Sequence, residues 1–131
     1  MKRDLDYLRE ILLIIEEAEP NVTISNEDFF ISTADKDQNT YLDAIASHHI
    51  SMLLEEGFIE LEGDPLYFGS TSYPTYYIHR ITSAGYDYLD SVRDPSIWSE
   101  IKSKLGAMAQ SVTLSTITSM SQEIIKAHLK F

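Results

Sequence analysis

Leu53-Leu54-Glu55-Glu56-Gly57-Phe58-Ile59-Glu60-Leu61-Glu62, followed after a long loop by Tyr76-Tyr77-Ile78-His79-Arg80-Ile81-Thr82-Ser83-Ala84-Gly85-Tyr86-Asp87-Tyr88-Leu89-Asp90, is the passage that decides the fold. The hydrophobic period changes at Gly57. Before it, Tyr41, Leu42, Ile45, Ile50, Leu53 and Leu54 recur with helical spacing, and glycine commonly closes a helix at its C-terminus. After it, Phe58 to Glu62 alternates towards a strand. Gly63-Asp64-Pro65 signals a turn, and Gly69 to Pro74 is a second flexible stretch. Tyr76 to Thr82 is rich in aromatic and β-branched residues and reads as another strand. Thr82 or Ser83 then caps a helix whose Tyr86, Leu89 and Val92 are expected to face inward. A helix followed directly by two strands with a long loop between them is the layout of a β-wing.

Towards the N-terminus, Arg3 to Ala18 is the clearest helix. Leu5, Leu8, Leu12 and Ile15 recur at three- and four-residue spacing with Ile11 beside them, and Pro20 opposes continuation. Asp4 and Asp6 suit the positive end of the helix dipole. Val22-Thr23-Ile24 reads as extended, Ser25 to Asp28 as a turn, Phe29 to Ser32 as short and β-prone, and Asp35 to Asn39 as a polar loop. Thr40 to Glu56 is helical, capped by Thr40 or Asn39; one helix, or two with a break near Ser47-His48, both fit the pattern. Towards the C-terminus, Asp94-Pro95-Ser96 starts a helix with Ile97, Trp98, Ile101 and Leu105 on its apolar face. Gly106 to Gln110 is a joint. Ser111 or Thr113 opens a last helix carrying Leu114, Ile117, Met120, Ile124, Ile125 and Leu129.

The expected fold class is therefore α+β, mainly α: a winged helix-turn-helix with a small β-wing over residues 1–93 and a C-terminal helical extension over 94–131, within the same domain. At 131 residues the chain fits one domain. No internal repeat interrupts it.

Three segments carry a closer likeness. They are Met1 to Asp6 running into Ile11-Leu12-Leu13, the block His49 to Ile59, and Ile81 to Asp94 followed by Ile97-Trp98. Together, and with the similar tail around Ser111 to Leu114, they resemble domain-of-unknown-function family 2513, a set of short proteins from phages and prophages of bacteria. The likeness spans nearly the whole chain and departs most from Val22 to Asn39. It implies a winged-helix-like fold and a phage context; it implies no activity and no binding residues.

The residue types for catalysis are poorly assembled. There is no cysteine, which excludes disulfides, thiolate nucleophiles and Cys-based zinc sites. Hydrolysis needs a nucleophile, base and orienting carboxylate that converge, and the sequence has neither a nucleophile elbow nor a phosphate-binding glycine loop. His48 and His49 are adjacent on a helix and point about 100° apart, the wrong geometry for one metal. Asp35, Asp37 and Asn39 imitate the start of a calcium loop but lack its glycine and its closing glutamate. The expectation is no enzyme, no metal and no cofactor.

Charge bears on partners. Ten basic residues against 21 acidic ones leave a net charge of −11. DNA binding is driven largely by counterion release to lysine and arginine. If Thr40 to Glu56 holds a recognition helix, its candidate face is Ser47, His48, His49 and Ser51, with no lysine or arginine. From Gln38 to Val92 Arg80 is the single basic residue, against eight carboxylates. Nucleic-acid binding is thus disfavoured, and an unidentified protein partner is expected instead. Two surfaces are candidates. The wing groups Tyr67, Phe68, Tyr73, Tyr76 and Tyr77, and tyrosine-rich surfaces favour interfaces, although strand alternation would turn some of these rings into the core. The last helix, with Leu114, Ile117, Ile124, Ile125 and Leu129, lacks an obvious partner once the winged core is complete; it could fold back on the first helix or pair with a second copy, and a homodimer is the favoured expectation. No apolar run approaches the roughly 20 residues that span a bilayer, and no signal-peptide pattern opens the chain, so a cytoplasmic location is expected. The leading expectation is a small acidic phage or prophage protein that modulates a host or phage regulator by protein–protein interaction. The alternative is a DNA-binding transcriptional regulator that uses a dimeric winged helix.

Overall fold

The computed structural model describes residues 2–29, 39–69, 72–106 and 112–129, with backbone alone for 39–41. In chain order they form α1 (Leu5–Glu17), β1 (Ile24–Ser25), a 3-10 turn (Asn26–Phe29), α2 (Asn39–Glu55), β2 (Ile59–Leu61), β3 (Tyr77–Ile81), α3 (Ser83–Val92), α4 (Pro95–Leu105) and α5 (Leu114–Leu129). The class is α+β and mainly helical. The strands make one antiparallel sheet in the order β1-β3-β2, with Ile24 opposite Ile78 and Ile59 opposite Ile81.

Local chemistry sets the helix boundaries. The Asp4 carboxylate accepts from the Tyr7 N–H and starts α1. Asp94 accepts from the N–H groups of Ser96 and Ile97 and, with Pro95 in the first turn, starts α4. Thr113 accepts from the Thr116 N–H at the start of α5. The helix from Asn39 to Glu55 is unbroken, and already includes Asn39 and Thr40 rather than being capped by them. Its end is a Schellman closure: the Gly57 N–H reaches Leu54 O, the Phe58 N–H reaches Leu53 O, and Gly57 sits at φ +74°. The expected extended stretch at Val22–Ile24 narrows to Ile24–Ser25. The segment Phe30 to Ser32, most of the polar loop with Asp35 and Asp37, and Ser111 lie outside the described residues.

The core joins Leu5, Leu8, Ile11, Leu12 and Ile15 of α1 to Ala46, Ile50 and Leu53 of α2, and to Ile24, Ile59, Ile78 and Ile81 of the sheet. Leu89 and Val92 of α3, Trp98, Ile101 and Leu105 of α4, and Leu114, Ile117 and Ile124 of α5 complete it. Tyr86 does not face inward as the helical pattern predicts. It is exposed, and Tyr88 is buried instead, stacked on Phe58 with ring centroids 5.1 Å apart. The reason is Gly85. A Cβ there would stand 2.1 Å from Phe58 O, so α3 presses its glycine against the start of β2 and turns Tyr88 inside.

Candidate functional site

The β2–β3 loop is anchored at its base by a polar clasp. Asn26 is fully buried; its side-chain amide donates to Pro74 O (3.2 Å) while its Oδ1 accepts from the Tyr76 N–H (3.0 Å). The Ser47 hydroxyl donates to the same Pro74 carbonyl at 2.8 Å. The returning limb of this loop is thereby tied to the 3-10 turn and to α2. Further out, Leu66 and Thr75 exchange two backbone hydrogen bonds across the loop. Rigid attachment of this kind lets a loop present side chains at low entropic cost.

The aromatic residues that the sequence groups in the wing divide by depth. Tyr76 is buried, and Tyr73 and Tyr77 are half-buried. Tyr67 and Phe68 stand out, 63% and 53% exposed, and Leu66 beside them is 46% exposed. Leu66 was absent from the sequence candidates, although three consecutive large apolar residues in a loop were a readable signal. Consecutive exposure of this kind is unusual for a surface that meets only water.

The candidate recognition-helix face is turned the other way. Ser47 and His49 are buried. His49 Nδ1 lies 2.8 Å from Ile45 O, and its Nε2 accepts from the Asp4 N–H at 2.9 Å. Since Nε2 accepts, the ring is neutral with its proton on Nδ1. Burial pushes the His49 pKa below the usual imidazole value. Tyr7 meets this ring edge-on at 4.8 Å, and its hydroxyl donates to Phe29 O at 2.7 Å; burial pushes the phenol up to about 12. His48 is half-buried, edge-on to His49. Ser51 donates to the His48 carbonyl in its own helix. These four residues therefore serve the helix and the core beneath it. Ala44, Ile45 and Met52 of α2 are half-buried, Glu55 is exposed, and the helix carries no lysine or arginine.

The cations are also engaged. Of the eight described lysines and arginines, six have intrachain partners. Arg3 donates to Val112 O, and Arg9 to the carbonyls of Val92 and Arg93 at 2.7 and 2.8 Å. Arg80 pairs with Glu60, Arg93 with Glu16 and Asp90, Lys102 with Asp6, and Lys104 with Glu100. The Arg93 hydrogen bond holds the Glu16 carboxyl below its usual value. Burial alone would raise Asp6, but the bonds from Trp98 and Lys102 outweigh it and hold that carboxyl low. Lys2 and Lys126 remain without a partner among the described residues.

The last helix has an intrachain partner after all. Leu114, Ile117 and Ile124 are buried where α5 packs on α3 and α4, and the buried Ser121 hydroxyl donates to Ser91 O. This corrects the premise that the stripe is left uncovered by its own domain. Ile125 is half-buried and Leu129, at 64%, is exposed. Among the described residues no three His, Asp or Glu side chains are grouped as metal ligands, and no helix is long and apolar enough to cross a membrane.

Comparison with known proteins places this arrangement among uncharacterised ones. The family model described as Hypothetical protein (DUF2513) matches residues 2–113. An uncharacterised protein of Haemophilus influenzae (strain ATCC 51907 / DSM 11121 / KW20 / Rd) is 25% identical over 130 residues, covering 98% of this chain and 99% of that one. No solved structure matches.

Proposed function

The chain belongs to the family of hypothetical proteins DUF2513, and from that premise we propose that it is a small acidic winged-helix protein that acts by binding another protein through its wing. The winged-helix reading is supported by the element order and by the β1-β3-β2 sheet, whose β2–β3 loop is the wing. The observation that carries the interaction reading is the exposed run Leu66-Tyr67-Phe68 on a loop whose base is clasped to buried groups. Tyrosine and phenylalanine contribute large contact area for few rotatable bonds, so they are common anchors of interfaces. By contrast α2 offers no lysine or arginine to phosphates, and its Ser47, His49 and Ser51 side chains are hydrogen-bonded within the fold. We further propose a role as modulator of a host or phage regulator, in the cytoplasm of a bacterium; the family likeness suggests only the phage or prophage context. A homodimer is part of the proposal only as a way of presenting two wings.

The test is affinity capture from bacterial lysate with the tagged chain and with Tyr67→Ser/Phe68→Ser, each with and without nuclease. The expected result is a stoichiometric protein partner that survives nuclease and is lost with the double substitution. Retention of that partner by the variant would remove the wing from the interface. Recovery of DNA alone, lost on nuclease treatment, would establish the regulator reading in its place.

A further inference from the structure

Outside the wing, α1 presents a second stripe. While Leu5, Leu8, Ile11, Leu12 and Ile15 face the core, Glu10, Leu13, Ile14, Glu17 and Ala18 line an open groove with Glu19, Val22, Ile24 and Asp28. Its volume is about 490 Å³, within the range of about 300–1,000 Å³ typical of ligand sites. The floor is apolar. Leu13, Ile14 and Ala18 pack against the core from this side, and Val22 is 58% exposed.

The rim has one sign. Glu10, Glu17, Glu19 and Asp28 contribute carboxylates, and among the described residues no lysine, arginine or histidine lines the groove. The nearby Arg93 is committed to Glu16 and Asp90. Among the described residues no cation pairs with Glu10, Glu17 or Glu19. The position compounds this. The C-terminal end of a helix carries partial negative charge and favours lysine or arginine nearby, yet the last turn of α1 has no basic residue and ends in Glu16-Glu17. Apolar surface is thus left open beside negative charge that the fold does not neutralise. A ligand that covered the floor and supplied cations to the rim would relieve both.

We propose that this groove docks a cationic amphipathic segment of a partner protein. Its apolar side chains would rest on Leu13, Ile14 and Val22, and its lysines or arginines would meet Glu10, Glu17 and Glu19. This is the helix-in-groove mode of recognition with added charge complementarity. A second copy of this chain fits less well, because two chains of net charge −11 repel and most described cations are already paired. The site is separate from the wing, so either can fail alone.

The experiment uses the full chain and a fluorescent synthetic peptide of leucine and lysine, ordered so that the leucines share one helical face. Anisotropy is read at about 150 mM NaCl, where distant charges are screened. A scrambled peptide of the same composition is the control. Glu17→Lys/Glu19→Lys and Val22→Asp are each expected to weaken binding by about tenfold or more. Glu55→Lys/Glu56→Lys, the same charge change at the end of α2, is expected to weaken it less than about threefold. Tyr67→Ser/Phe68→Ser is expected to bind the peptide unchanged, which separates this site from the wing. Circular dichroism confirms that each variant is folded. Equal losses in the two charge-reversal variants, or equal binding of the scrambled peptide, would reduce the effect to general attraction and overturn the proposal. So would absence of binding up to about 1 mM peptide. Sedimentation showing a dimer that Val22→Asp dissociates would assign the groove to a second copy instead.

Discussion

His49 shows what a single residue contributes and how little of it the sequence reveals. The sequence marks it as adjacent to His48 and as a candidate for the recognition-helix face. The structure makes it an acceptor for the Asp4 N–H at the start of α1 and places its Nδ1 against Ile45 O. Only the neutral ring can accept at Nε2. Because burial lowers its folded-state pKa below 6.5, protonation favours the unfolded chain. The stability from His49 is fully present above pH 6.5 and is lost as pH falls below that value towards the folded pKa. Thermal melts at pH 7.5 and 5.5 are expected to show a drop for the wild type and a smaller one for His49→Gln. An equal drop in both would place the titration on another histidine. The Glu16 carboxyl acts in a separate window, since its depressed pKa contributes stability above 4.5 that fades at more acidic pH. Tyr88 gives a different residue-scale test. Its hydroxyl is buried with no hydrogen-bond partner among the described residues, and a buried polar group left unpaired costs about 1–3 kcal/mol. Tyr88→Phe keeps the stack on Phe58 and is expected to raise stability by about 1 kcal/mol in urea denaturation. A loss of stability would show that the hydroxyl has a partner.

Among elements, the junction of α2, β2 and α3 was the most legible part of the fold, and it also misled. Leu-Leu-Glu-Glu-Gly-Phe-Ile announces a helix end because Gly57 must take positive φ, a condition written in the residue type itself. Thr82 is legible for the same reason. Its hydroxyl accepts from the Gly85 N–H, as a capping residue does, and it also donates to Gly57 O, joining the two ends. What hydrophobic periodicity could not convey is that the helix seam passes through Gly85. A glycine adds nothing to an apolar count, so the pattern put Tyr86 inside, whereas the close approach to Phe58 turns Tyr88 inward. The same blindness hid Ser121, a fully buried hydroxyl in the seam between α5 and α3. With that seam unseen, α5 looked unpartnered. Gly85→Ala drives a methyl into the Phe58 carbonyl and is expected to cost about 1–3 kcal/mol, the usual penalty of overpacking. Chemical denaturation measures it. A loss under about 0.5 kcal/mol, the scale of a neutral surface change, would mean that α3 can slide away from β2.

At the scale of the whole molecule, charge was the property most open to reading, and its consequence depended on placement that no count supplies. A balance of 10 basic to 21 acidic residues already disfavours DNA; it does not say whether the few cations are gathered or dispersed. Six of the eight described cations are dispersed and engaged, on backbone carbonyls at Arg3 and Arg9 and on carboxylates at Arg80, Arg93, Lys102 and Lys104. The β2–β3 loop was legible to a similar degree. Its tyrosine-rich composition flagged the region, but composition does not say which rings stay outside: Tyr76 is buried while Tyr67 and Phe68 are exposed. Two opposing effects of salt follow from this distribution. Screening weakens the exposed ion pairs, each worth at most about 1 kcal/mol. It also weakens the mutual repulsion of the surplus carboxylates, which acts over the whole surface and opposes compaction. With few pairs and a net charge of −11, the repulsion outweighs the pairing. The melting temperature at pH 7.5 is therefore expected to rise as NaCl increases from about 10 mM to about 150 mM, a range over which the Debye length falls from about 30 Å to about 8 Å. Charge reversal at Glu55 and Glu56 should flatten that rise by removing repulsion without touching any described ion pair. A melting temperature that instead falls with salt would mean that the paired cations stabilise the fold more than the surplus carboxylates strain it. The dispersed cations would then have to be counted as structural supports of the acidic surface.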